Sequence, residues 1–212
     1  MNIIIVGGPG AGKGSLAKLI AKDFKLVHVS SGDIFREMAL QKTELGDYIG
    51  DRINQGMLLP DDLVDWIMMK HINKAHPKNG FILDGFPRTR TQSESLVQSM
   101  HIDMVISVKA TAETVVTRLC GRYMCEKCGV IHNKIWHDIS KCRECGSPLY
   151  QREDDKEEAI LKRIADYNKQ FAPILKFFHG LKKCQMLEIQ SDLSDNPENI
   201  YKKFLEQYGK AH

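Results

Sequence analysis

Gly7-Gly-Pro-Gly-Ala-Gly-Lys-Gly-Ser15 follows directly on Asn2-Ile-Ile-Ile-Val6, and this junction decides the fold. The first run is β-branched and bounded by glycine, the pattern of a strand buried on both faces. A helical pattern sets in at about Lys13. A glycine loop between a strand and a helix turns consecutive backbone N–H groups inward around phosphate oxygens. The helix N-terminus adds a positive dipole, and Lys13 supplies a mobile charge for the outer phosphates. An ordinary glycine-rich turn has no need of both flanking elements. Position 14 is glycine where a Ser or Thr hydroxyl commonly contacts magnesium, and Ser15 comes one residue later. The metal is therefore expected to be held mainly by phosphates and water.

Apolar runs like the first recur at Leu26 to Val29, Phe81 to Asp84, Met104 to Val108 and Cys184 to Ile189. Helical stretches lie near Ile34 to Gln41, Leu45 to Gln55, Asp62 to Lys74, Thr91 to Ser99, Thr111 to Leu119 and Lys156 to Phe178, and a last one starts near Pro197 with Asn196 as its cap. This alternation predicts an α/β fold: a five-stranded parallel sheet of the P-loop NTPase type, with helices on both faces. Two regions break it. Between Ser30 and Leu59 two helical segments follow one another without a strand. From Arg122 to Asp155 no apolar periodicity is sustained, so something other than a core must hold that stretch together.

The 212 residues suffice for a free-standing core. A net charge of +3 is too small to argue for a nucleic-acid or membrane-surface partner by bulk field. The apolar run Met1 to Val6 lacks both the basic leader of an export signal and the length of a membrane span, so a reducing, cytoplasmic setting is expected. There, Cys pairs more often bind metal than form disulfides. Cys125-Glu-Lys-Cys128 and Cys142-Arg-Glu-Cys145 are two C-x2-C knuckles with thirteen residues between them, each followed by glycine. Four sulfur ligands make a closed, structural zinc site that takes no part in chemistry. Cys120 and Cys184, with apolar neighbours, are expected to be inert core thiols. His132, Trp136 and His137, between the knuckles, are read from the residues alone as packing or surface groups rather than ligands.

Asp84 ends an apolar strand, the arrangement that sets a carboxylate beside the phosphate loop to orient magnesium or its waters. Phosphoryl transfer asks mainly for alignment and neutralisation of charge, so fixed arginines are expected. Arg36, Arg88, Arg118, Arg122, Arg152 and Arg163 stand at element ends near the loop, its acid or the irregular insertion.

At this point the chain resembles the adenylate kinases, nearly end to end. The resemblance is carried by Gly7 to Ser15, Ser30-Ser-Gly-Asp-Ile-Phe-Arg36, Gln55-Gly-Met-Leu-Leu-Pro-Asp61, Gly80-Phe-Ile-Leu-Asp-Gly-Phe-Pro-Arg-Thr89 with Gln92, Gly121-Arg122, and Arg152-Glu-Asp-Asp155 with Arg163. It implies transfer of a phosphoryl group from Mg-ATP to AMP, giving two ADP. It places Gly10, Ala11, Gly12, Lys13, Gly14 and Ser15 on the ATP phosphates, Arg118 and Arg122 on the ATP side, and Ile131 and His132 near the ATP base. AMP would meet Ser31, Arg36, Met57, Leu58, Leu59, Gly85, Phe86, Pro87, Arg88 and Gln92. Arg152 and Arg163 would bridge toward the migrating phosphate, Asp84 would order the magnesium waters, and Lys13, Arg88 and Arg122 would join them in catalysis. Residues 1–29, 60–121 and 156–212 would form the core, 30–59 an AMP-binding flap, and 122–155 a mobile zinc-ribbon-like lid on a monomer. Position 31 is Ser where the family usually has Thr, while Gln92 offers an amide to the donor and acceptor edge of adenine. A pyrimidine-nucleotide kinase is the nearest competing reading. An ATPase whose zinc ribbon binds nucleic acid is another, but Glu126, Asp138 and Glu144 dilute the basic charge of the ribbon and no aromatic platform is apparent.

Overall fold

The computed structural model describes residues 1–75 and 77–211; His76 and His212, both inside the expected core segments, lie outside them. The chain runs β1 (Ile3–Gly7), α1 (Lys13–Asp23), β2 (Val27–Ser30), α2 (Ser31–Ala39), α3 (Glu44–Asn54), α4 (Asp61–Ala75), β3 (Phe81–Asp84), α5 (Arg90–Ser99) and β4 (Met104–Lys109). It continues with α6 (Ala112–Cys120), β5 (Arg122–Cys125), β6 (Ile131–Asn133), β7 (Leu149–Tyr150), a 3-10 turn (Glu153–Asp155), α7 (Glu157–His179), β8 (Gln185–Gln190) and α8 (Pro197–Ala211).

Five strands form one parallel sheet in the order β2-β3-β1-β4-β8. Successive side chains of a strand point to opposite faces, and here both faces are covered. Ile3 and Ile5 pack with Leu16, Ile20, Ile200 and Phe204 of α1 and α8. Ile4 and Val6 pack on the other face with Val64, Met68, Leu96 and Phe178 of α4, α5 and α7. An uninterrupted isoleucine run is what a strand with two cores requires. The register sets Asp84 level with Ile5 on one side and with Ser30 on the other, so β2 and β3 end together while β1 runs two residues further into the phosphate loop.

Side-chain caps explain several helix starts. Thr43, Thr89 and Thr111 accept from the amides of Gly46, Gln92 and Thr114, and Asn196 accepts from Asn199 at 2.9 Å, as expected at the start of α8. Most boundaries fall within one or two residues of the sequence expectation, and one differs by three. α2 begins at Ser31 rather than Ile34, because the Ser30 hydroxyl accepts from the Asp33 amide and starts the helix three residues earlier.

Residues 122–150 hold a three-stranded antiparallel sheet, β6-β5-β7. Its strands are four, three and two residues long, too short to carry a visible alternation, which is why the sequence shows no period there. Cys120 and Cys184 are both half-buried rather than deep in the core, and burial pushes the Cys184 thiol up to about 11. Among the described residues no helix is long and apolar enough to cross a membrane.

Candidate active site

The phosphate loop leaves β1 and enters α1 through Gly12, whose φ of 95° lies in the left-handed region open to glycine. No side chain caps this helix, so its first-turn amides are free for an anion. Gly10, also at positive φ, lets the loop lie against α6: a Cβ there would stand 2.9 Å from Leu119 Cγ. Lys13 folds back across the loop, its Nζ donating to the Gly8 carbonyl at 2.6 Å. Burial lowers the Lys13 pKa to about 8; Asp84 opposes the shift, and Arg88, Arg163 and Arg122 add to it.

Asp84 stands beside the first turn of α1. A Cβ at position 14 would lie 3.0 Å from its Oδ2, which accounts for glycine where a hydroxyl residue is common. His28 Nε2, from β2, is 3.7 Å from the same oxygen. Asp84, Gly14 and Ser15 line one cleft, so the oxygen ligands present suit a magnesium ion held by a single carboxylate, phosphates and water.

Around this centre the fold gathers five guanidinium groups. Arg36 comes from α2, Arg88 from the loop after β3, Arg122 from β5, Arg152 from the turn before α7 and Arg163 from α7, and all five line the cleft. Enclosure lowers the Arg88 pKa to about 10, with the nearby Arg163 charge the next cause. Burial does the same to Arg152, followed by Arg36 and Arg122. The Arg152 Nε is buried without a partner, a donor left for an incoming oxygen. So many like charges persist together only with counter-charges. Arg122 binds Asp155 through Nε and Nη2, and Arg163 reaches Asp154 at 2.8 Å and Asp155 at 3.4 Å. Burial works to raise the Asp154 pKa, but Arg163 and Arg122 overcome it and hold the carboxyl below its usual range.

The Asp155 side chain is fully buried, so loss of its charge leaves Arg122 without its carboxylate partner, while Arg163 keeps Asp154 at 2.8 Å. Asp155→Asn is expected to destabilise the protein by about 3–5 kcal/mol, the usual consequence of breaking a buried ion pair. The urea midpoint of the variant against wild type measures it. No spacing in the sequence singles out Asp154 or Asp155, although the three acids directly after Arg152, Glu153 to Asp155, are a visible signal for arginine partners.

Most of the residues singled out from sequence meet in this cleft. Gly10, Gly12, Lys13, Gly14, Ser15 and Arg118 line it with Ile131 and His132 from β6, and Leu58 and Pro87 line an adjoining pocket with Lys13, Arg88 and Arg163. Others are near it but engaged elsewhere. Leu59 and Phe86 are packed in the core, and Ala11 is buried against α1. Ser31 donates to the Gly85 carbonyl at 2.7 Å. Gln92 is 2% exposed, with Nε2 donating to Asp61 at 2.8 Å and Oε1 accepting from the Arg88 amide at 2.6 Å. Met57 lies next to Gly56 and Leu58 without lining either pocket. Arg118 is 5% exposed and ties α6 to the loop before α8: Nη1 donates to Ser191 Oγ at 2.8 Å, and Nη2 to the Asp192 and Asp195 carbonyls. Trp136, read as a packing or surface residue, lies on the cleft wall 5.6 Å from the Arg118 guanidinium.

Farther out, the Sγ atoms of Cys125, Cys128, Cys142 and Cys145 lie within 4.8 Å of one another. Three of their separations are 3.4, 3.5 and 3.6 Å. A tetrahedral zinc with bonds of about 2.3 Å spaces its sulfurs about 3.8 Å apart, so the donor set fits that ion. Ser147, through its hydroxyl and its backbone N–H, lowers the Cys145 thiol to about 6, which favours the thiolate a metal needs.

A glycine loop on a strand–helix junction, a carboxylate on the neighbouring strand and a ring of arginines define a P-loop phosphotransferase. The adenylate kinase family profile matches residues 5–183. An adenylate kinase of Caldicellulosiruptor bescii is 37% identical over 210 residues, covering 95% of this chain and 98% of its own. That of Staphylococcus epidermidis is 38% identical over 94% and 97% of the two chains, and that of Thermosipho africanus 41% over 86% and 89%. The chain belongs to the adenylate kinase family, whose reaction is reversible phosphoryl transfer from ATP to AMP.

Proposed function

We propose that this cleft seats Mg-ATP and AMP end to end and passes the γ-phosphoryl group between them. The observation that carries this reading is the convergence of Arg36, Arg88, Arg122, Arg152, Arg163 and Lys13 on one pocket, where burial and then one another's charge lower the proton affinity of Lys13 and Arg152 and so favour a polyanion. The amides of Gly10 to Ser15 and Lys13 would grip the ATP phosphates. Arg118, Arg122, Ile131, His132 and the loop around Pro197 would hold the donor nucleoside.

AMP would lie toward Arg36, Arg88, Leu58, Gly85 and Pro87, with Ser31, Met57, Leu59, Phe86 and Gln92 shaping its pocket. Gln92 can meet a base only by giving up its bond to Asp61 or to the Arg88 amide. Arg152 and Arg163 would bridge to the migrating group, where preorganised donors act most strongly. Magnesium, beside Asp84, neutralises phosphate charge when bound. In this reading residues 30–59 form a flap, 122–155 a zinc-pinned lid, and the remainder the core. Closure excludes water, the competing acceptor. A cytoplasmic monomer without a nucleic-acid partner completes the proposal.

Formation of ADP from ATP paired in turn with AMP, CMP, UMP and GMP tests it. Efficient turnover is expected with AMP. Turnover confined to a pyrimidine acceptor would transfer the chain to that branch of nucleotide kinases.

A further inference from the structure

The imidazole of His132 has its Nε2 3.4 Å from Cys142 Sγ. The ring is 4% exposed, and its backbone is pinned in β6 by the pairing of His132 with Tyr123. We infer that His132 is a positioning residue of the four-cysteine site, donating its Nε2–H to the Cys142 thiolate while the same residue forms part of the nucleotide cleft. The inference rests on the reading that the four cysteines hold zinc, which their spacing fits.

A metal-bound thiolate carries lone pairs and no proton, so the hydrogen in this contact comes from the imidazole. Cys125 Sγ accepts from the Cys128 amide at 3.5 Å. At Cys142 the imidazole of His132 fills the corresponding place. Hydrogen bonds to ligating atoms orient them and offset part of their charge, and removing one typically weakens metal binding about 10- to 100-fold. Ile131 and His132 of β6 are both on the cleft wall, as is Cys128 of the first knuckle, so the four-cysteine site abuts the nucleotide cleft and His132 touches both.

The test uses the full-length, zinc-loaded protein and follows zinc release to a chromophoric chelator. His132→Phe, which keeps the bulk and removes the donor, is expected to release zinc about 10- to 100-fold faster than wild type. His132→Gln, with an amide N–H at a similar reach, is expected to recover much of the difference. In cobalt-loaded protein, the sulfur-to-metal charge-transfer band should move to lower energy in His132→Phe and back toward wild type in His132→Gln, while the ligand-field bands keep the four-thiolate pattern. A purely structural role would speed release without moving that band. Should His132→Phe fail to fold, His132→Met takes its place. Release at the wild-type rate with an unmoved band overturns the inference. Failure of the wild-type protein to bind one cobalt ion through four thiolates overturns the zinc reading itself, a result distinguishable from the first.

Discussion

Lys13→Ala lowers kcat for ADP formation by about 10²- to 10³-fold or more, the effect of removing one preorganised donor from a charge-stabilising site. The structure shows why no neighbour replaces it. The lysine Nζ is held over the loop by the Gly8 carbonyl, within the field of Arg88, Arg122 and Arg163, whereas Arg122 and Arg163 are tied to Asp154 and Asp155 and Arg88 Nε donates to the Gly85 carbonyl at 2.7 Å. Folding should not suffer. Burial holds the Lys13 pKa down at about 8, so the folded state disfavours its charged form, and the penalty is present at neutral pH and fades as pH rises through that value. The variant should therefore melt at or above the wild-type temperature at pH 7, which separates lost chemistry from lost structure. The same shift predicts an alkaline limb. In the free enzyme Lys13 is protonated below about 8 and neutral above it, so kcat/KM for ATP falls as pH rises past that point. Bound phosphates favour the ammonium, which moves the corresponding limb of kcat to higher pH. Rate profiles of wild type and Lys13→Arg against pH check both statements.

Stripping zinc with a strong chelator, or substituting Cys142→Ser, is expected to unravel residues 126–149 while the five-stranded sheet stays folded. That stretch lies outside the clusters that form the main core: of its apolar side chains, Ile131 and Ile135 are exposed, and two of its sulfur ligands are exposed as well. Structural zinc contributes roughly 10–16 kcal/mol of binding energy to the folding of isolated zinc-binding peptides, so a unit of this kind depends on its metal to stay folded. At a thousandfold excess over its dissociation constant, zinc adds about 4 kcal/mol, which for a chain of this length corresponds to about 8–16 °C in melting temperature. Calorimetry with and without chelator measures that shift. Limited proteolysis should place the first cuts in the insertion. Phosphoryl transfer should fall in parallel, because Arg122 and Arg152 leave and re-enter the core at the two ends of this segment. An insertion that stays protease-resistant and a melting temperature that stays put after complete zinc removal would refute the structural role.

Where local physics and the tertiary structure agree, the agreement has a common cause. The strands at Asn2 to Val6, Phe81 to Asp84 and Met104 to Val108 were legible because a strand buried on both faces must be apolar at every position, and no polar face confuses the pattern. The phosphate loop was legible because its glycines serve backbone geometry at adjacent positions. The knuckles were legible because two-residue spacing brings two thiolates to one ion. The start of α2 was misplaced by three residues, since Ser30 is both the end of a strand and the cap of a helix and only the Asp33 amide decides between them.

The sequence by itself determined the sheet, the anion loop, the four-sulfur site and the cast of arginines, all of which depend on residues close together in the chain or on repeated local pattern. The tertiary structure alone decided how those pieces face one another. It pairs Arg122 with Asp155 across 33 positions, turns Gln92 toward Asp61 across 31, and brings His132 against Cys142 while leaving it on the cleft wall. Such partners are selected by the three-dimensional course of the backbone, through burial that makes an unpaired charge or N–H costly, and no local spacing rule encodes them.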